Sequence, residues 1–194
     1  AALHGTTWLE DTGDADQDLR RDRALGAALA LTGDHAGAVV YRNRLQKLLE
    51  MERQNQAAAI VEAEKKALEA KSDEKATEKA KKDAENKFNG KIEGYEKAAF
   101  EIDARIAASR GDSAEALDLL TKASVSNDDL IAAMLRAGKT DDAVKKAAEN
   151  VKSNPAEVRA LGSQIEALYA TGRKDEAKSA FEELRRISST IDLD

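Results

Sequence analysis

A 34-residue recurrence constrains this chain more than any other feature. Leu135-Arg-Ala-Gly138-Lys-Thr-Asp-Asp-Ala143 returns as Tyr169-Ala-Thr-Gly172-Arg-Lys-Asp-Glu-Ala177, with Gly and Ala both displaced by one period. The same Gly-x4-Ala spacing occurs at Gly33 to Ala38 and at Gly111 to Ala116. A fixed period in this range marks an array of supersecondary units, each of which buries its apolar face only against its neighbours. The signature has a mechanical reading. A helix ends, Gly takes the left-handed turn conformation, Asp or Ser opens the next helix, and the small Ala lets two antiparallel helices approach closely. Apolar stripes flank each signature: Leu25, Gly26 and Leu29; Phe100, Ala104 and Ala107; Leu130, Ile131 and Met134; Leu161, Ile165 and Leu168 upstream, with Ala177, Phe181 and Leu184 the clearest downstream set. These are the facing sides of helical hairpins.

Composition agrees with an all-α fold. Ala, Glu, Lys, Leu and Arg supply 107 of the 194 residues, the usage of long helices or coiled coil. The absence of Cys excludes disulfides, Cys zinc sites and thiol catalysis. No apolar run reaches the roughly 18 to 20 residues of a membrane span. With 31 basic against 37 acidic residues the net charge is −6, which argues against general nucleic-acid affinity. The chain opens on Ala with no charged and apolar leader after it, so it is expected to be a mature or excised portion of a longer product.

On these residues the chain resembles the tetratricopeptide repeat family, whose unit is a 34-residue helical hairpin. Leu25-Gly26-x2-Leu29, Ala38, Ala143, Pro155, Ala177 and Phe181 carry the resemblance. Arg42 stands where the last repeat has Phe181, and Asn150 where a small apolar residue is usual. First helices are expected near 18–32, 74–109, 128–137 and 156–171, and second helices near 36–70, 113–123, 141–152 and 175–187, within a single domain spanning 1–194.

One interval does not fit. Gly33 to Gly111 spans 78 residues, 44 more than the period, and 36–109 contains no Pro and many (i, i+4) charge pairs such as Glu62 with Lys66. If both flanking helices are extended and fold back, facing residue numbers must add to a constant. Tyr41 with Ile102, Leu45 with Ala99, Leu48 with Tyr95, Met51 with Ile92, Ala57 with Phe88 and Ala63 with Ala80 all add to between 143 and 145. The turn then falls near Ser72, a good N-cap, and residues 51–94 form an antiparallel coiled-coil extension. The rival is one helix from 36 to 88 that stops at Asn89-Gly90.

Catalytic and metal chemistry is weak. His4 and His35 have no ligand partner at metal-binding spacing, and His35 reads as a solvated turn residue. Asp11, Asp14, Asp16 and Asp18 suggest a calcium loop, but Leu19 and Leu25 stand where it needs Gly and Glu, so an acidic helix start is the better reading. Gly138-Lys139-Thr140 mimics the end of a phosphate loop behind a helix where a strand is required. Trp8 is expected to pack onto the first repeat. No enzyme, cofactor or metal is therefore expected.

The leading expectation is a protein-interaction module or scaffold whose repeat groove takes a peptide or partner protein. Transferred by register, the resemblance places Arg20, Arg23, Glu101, Arg105, Asp128, Arg136, Arg159, Glu166 and Tyr169 along that groove. Five arginines in an acidic chain favour an acidic partner. The alternative is a structural role, with homo- or hetero-assembly through the coiled-coil extension.

Overall fold

The computed structural model describes residues 13–191, and Trp8, His4 and Asp11 lie outside them. Eight helices follow one another: α1 (Ala15–Leu31), α2 (His35–Glu69), α3 (Glu74–Ser109), α4 (Ser113–Lys122), α5 (Asn127–Arg136), α6 (Thr140–Ser153), α7 (Val158–Ala170) and α8 (Lys174–Ile191). No strand occurs among the described residues. The fold is all-α and built of helical hairpins, as the period requires.

Gly33, Gly111, Gly138 and Gly172 all have φ between 72° and 86°, so each signature Gly makes the left-handed turn assigned to it. Behind the turns, Asp34 and Asp112 cap α2 and α4 by accepting from the backbone N–H of Gly37 and Glu115. The fourth turn, between α4 and α5, has no Gly. Ser124 takes φ 51° there, and Ser126 caps α5. The short spacing between Gly111 and Gly138 thus leaves α5 only ten residues.

The described residues divide into two compact units, unit 1 ending at Ser109 and unit 2 beginning at Arg110. In unit 1, α2 and α3 run antiparallel over their whole length and α1 packs on both. The hairpin reading holds and the continuous helix through Asn89-Gly90 does not: α2 ends at Glu69, and α3 runs unbroken past Gly90 and Gly94. Cross-pair contacts follow the constant sum: His35 with Ser109, Arg42 with Asp103, Gln56 with Asn89 and Lys81 with Glu64. The fold-back differs by one residue from expectation. Lys71 takes the left-handed conformation at φ 52°, and Asp73, not Ser72, caps α3 by accepting from the Ala76 N–H.

The rotation of α2 also differs. Its α3-facing row is Leu45, Leu49, Glu52, Gln56, Ala63 and Ala67. Glu52 pairs with Lys91 at 3.6 Å, and the Gln56 amide donates to the Glu85 carbonyl at 3.0 Å and to Asn89 at 2.7 Å. Met51 and Ala57, expected on that seam, are exposed. The core of unit 1 gathers Ala30, Ala38, Leu45, Tyr95, Ala98, Ala99, Ile102 and Ile106, with Leu19 and Leu29 against it. Further along the hairpin the buried side chains are Ala67 and Ala84.

In unit 2, α4 packs on α5, α5 on α6 and α7, and α7 on α6 and α8. Ile131, Ala143, Val144, Ala147, Ala167, Leu168 and Ala177 form its core. Phe181 is a correction: it is 53% exposed, and α8 turns Ala177, Ala180, Leu184 and Ile187 inward instead.

Candidate interaction surfaces

The first helices of unit 2 leave one face uncovered. Along α7, Ala160, Leu161, Ala167 and Leu168 are buried, and Ser163 donates to Asp128 of α5 at 2.9 Å. What remains open at helical spacing is Val158, Gly162, Ile165 and Tyr169, with Arg159 and Glu166 alongside. Val158 is 42% and Tyr169 66% exposed, and a Cβ built on Gly162 between them meets nothing within 4 Å. Arg136 is exposed in the last turn of α5. Arg136 and Arg159 form no ion pair among the described residues.

Behind this face lies a buried polar network. Asn150 of α6 is 6% exposed, accepts from the Asn127 amide at 3.0 Å and donates to Asp128 at 3.2 Å. Asn154 donates to the Asn150 carbonyl and to its side-chain oxygen. The residue that departs from the repeat pattern therefore ties α6 to α5, and Asp128, assigned to the groove, carries the network on to α7, its Oδ1 engaged by both Asn150 and Ser163.

Unit 1 holds the other assigned residues. Arg20 is exposed on α1. Arg23 and Arg105 share one carboxylate: Glu101 receives the Arg23 guanidinium on Oε2 and Arg105 at 3.2 Å on Oε1. Two of the five arginines thus spend their charge within the fold. Beneath them, Asp22 is fully buried, with Arg21 at 3.0 Å from Oδ1 and the Arg44 Nε at 2.7 Å from Oδ2. The Arg44 N–H is not aligned on that oxygen, so the contact is an ion pair without a well-formed hydrogen bond. Burial pushes the Asp22 carboxyl above its ordinary range although both guanidinium groups pull it down. Tyr95 is raised as well, first by burial and then by Glu52 and nearby aspartates.

Residues with weak catalytic readings have structural uses. Asp14 caps α1 through the Asp16 and Gln17 N–H groups, which hold its carboxyl below the usual range. Asp18 is buried and pairs with Arg21 at 2.9 Å. His35 is a correction: it is half-buried and meets the Ser109 hydroxyl at 2.6 Å, joining the first turn of α2 to the last of α3. Gly138-Lys139 lies in the turn between α5 and α6, and Thr140 opens α6.

A second concavity was not foreseen. Between α6 and α8, over α7, lies a depression of about 530 Å³. Val144, Ala148, Leu168 and Ala180 line it, with Lys145 and Arg173 at its edge. The Arg173 guanidinium binds Glu176 there and holds that carboxyl below its ordinary range. Its signal in the sequence was faint: small alanines at 148 and 180, indistinguishable from helix-contact alanines.

A family model described as bacterial transcriptional activator domain matches residues 67–193, more than half of the chain. The chain belongs to that family. The activator-domain match begins in the last turn of α2, so it covers α3 through α8 and leaves α1 and most of α2 outside. The family's description is that of a regulatory domain, not a catalytic one. No curated protein matches the chain, and no solved structure does.

Proposed function

We propose that this activator-domain chain is a non-enzymatic protein-interaction module, similar in build to tetratricopeptide repeats, and that the uncovered face of α5 and α7 receives an acidic segment of a partner protein. The observation that carries this reading is the pairing of anchors on α7. Tyr169 and Val158 offer apolar contact on either side of Gly162, where a partner backbone can approach without meeting a side chain. Arg159 follows Val158 on α7 and Arg136 ends the neighbouring α5, both exposed with their charge uncommitted, and a guanidinium can take a carboxylate in bidentate fashion. Tyr and Arg are the residue types that most often dominate binding energy. Within unit 1, Arg20 stands exposed as a separate candidate contact, and Arg23 and Arg105 become available only where a partner carboxylate competes with Glu101.

The test is anisotropy of labelled acidic peptides, each containing one aromatic or aliphatic residue, with the full chain. The double variant Arg136→Glu, Arg159→Glu and the single variant Tyr169→Ala should each weaken binding at least tenfold, while Ala148→Arg, which fills the α6–α8 depression, should not. Equal affinity in wild type and the Arg136, Arg159 variant sinks the proposal, and loss on Ala148→Arg alone moves the site to the depression.

A further inference from the structure

The outer face of α2 carries apolar side chains that nothing in unit 1 covers. Met51, Val61 and Leu68 are 56%, 65% and 68% exposed. With Gln54, Ala58 and Lys65 they occupy the row 51, 54, 58, 61, 65, 68, whose 3-4-3-4-3 spacing is that of a coiled-coil seam. This row lies on the side of α2 opposite the row that packs on α3. It begins where α1 ends its claim on α2, since Arg44 is still committed to Asp22 of α1. One helix therefore has two seams, and only one is used within the chain.

We propose that this second seam docks a second copy of the chain in antiparallel orientation, so that the two α2 helices form the centre of a symmetric dimer. The row is self-complementary in one register, with facing residue numbers adding to 119. Met51 then meets Leu68 of the second copy, Ala58 meets Val61, and Gln54 meets Lys65. Symmetry repeats each layer once. The flanks agree. Leu48 faces Glu69, Asn55 faces Glu62 and Ala57 faces Glu64, so no acid opposes an acid, and Glu50 lies level with the fold-back of the other copy, where Lys71 follows the end of the helix. Parallel alignment fails on charge: it stacks Lys65 on Lys65 in the seam and sets Glu64 beside Glu69 on the flank. Length agrees too. The register brings the fold-back at Ser72 level with Lys47, three residues beyond Arg44, so the tip of one copy stops short of the part of α2 that carries α1.

This dimer is independent of the α5–α7 face, and the experiment reads assembly alone. Sedimentation equilibrium of the full chain over a hundredfold dilution should show monomer and dimer in exchange. Met51→Glu with Leu68→Glu should abolish the dimer, with helicity by circular dichroism unchanged because both positions are exposed. Glu50→Lys and Lys71→Glu should each weaken it, and the two together should restore it. The chain has no Cys, so Ser72→Cys takes a single spin label. Antiparallel copies separate the two labels by about 37 Å along the axis, from 25 residues at ~1.5 Å each, and parallel copies bring them within about 10 Å. A monomer at every concentration, a dimer indifferent to the Met51, Leu68 variant, or a short label distance each overturns the proposal.

Discussion

Gly26 of α1 lies so close to Ile102 of α3 that a Cβ on the glycine would stand 2.4 Å from the Ile102 Cδ1. Tyr41 of α2 closes the same point from the other side, 3.2 Å from that Cβ position. Three helices meet there, and the missing side chain sets how near they come.

Gly26→Ala should therefore destabilise the chain by about 1 to 3 kcal/mol, the cost of forcing a methyl into a filled core where Ile102 is wholly buried. Gly90, inside α3, has nothing within 4 Å of its Cβ position. There Gly90→Ala should gain about 0.5 to 1 kcal/mol through helix propensity alone. Urea unfolding of the two variants beside wild type checks both signs.

Asn150→Ala should cost about 1 to 3 kcal/mol, because it removes the shared partner of Asn127, Asp128 and Asn154 and leaves their polar groups short of bonds in a partly buried site. Asn127→Ala should cost less, since Asn127 is exposed and water replaces the lost bond. Equal losses in thermal unfolding would contradict this account of the network.

The turn positions were legible because they are dictated by backbone conformation. Gly138 and Gly172 each take positive φ, so their spacing located the helices within a few residues, whereas the turns at Lys71 and Ser124 reach positive φ without Gly and carry no such mark. The fold-back of α2 on α3 was legible for a related reason: a constant sum fixes position along two antiparallel axes. It does not fix rotation. A shift of one residue turns a helical face by about 100°, and in a segment where alanines stand at 57, 58, 59, 63 and 67 the apolar pattern cannot choose between Met51 and Glu52 for the inner row. Polar contacts mark the row that faces α3: Glu52 stands 3.6 Å from Lys91, and Gln56 donates to Asn89. Phe181 was misplaced similarly, one residue from Ala180, which packs inward. The arginine face was half legible. Arg136, Arg159 and Tyr169 stand exposed, but nothing in the spacing of Arg23 and Arg105 announced that Glu101, 78 residues after the first, would bind both.

The distal hairpin should exchange its amide hydrogens sooner than its base. Around Tyr95 and Ile102 each layer buries large side chains beneath α1, whereas between Ile60 and Lys82 the buried side chain is Ala67. At about 25 cal/mol per Å², alanine layers contribute far less than tyrosine or isoleucine layers, and local opening follows the thinner packing. Hydrogen exchange read by mass spectrometry on the chain diluted to monomer should show peptides from 58–85 losing protection before peptides from 95–108. Uniform protection along α3 before dilution would mean that the distal part is held by contacts outside its own chain, and dilution would then remove it.

The last expectation concerns pH. Asp22 is fully buried, and desolvation raises its folded-state pKa above the ordinary carboxylate value despite Arg21 and Arg44. In the unfolded chain the same group titrates near the ordinary aspartate value of 3.8. Between these two values the folded state binds the proton that the unfolded state has released, so stability from this group is full below pH 3.8 and falls as pH rises through the folded pKa. Asp22→Asn has no such titration and resembles the protonated side chain in shape. Its stability relative to wild type should therefore improve as pH rises from 3.8 through the folded pKa and then level off, whatever the fixed cost of losing charge beside Arg21 and Arg44. Exposed carboxylates with lowered pKa values, such as Glu176 and Glu183, weaken both proteins equally in acid and cancel in the difference. Thermal unfolding of both proteins at half-unit pH steps measures that difference. A flat profile would mean that the two guanidinium groups compensate the burial of Asp22 in full.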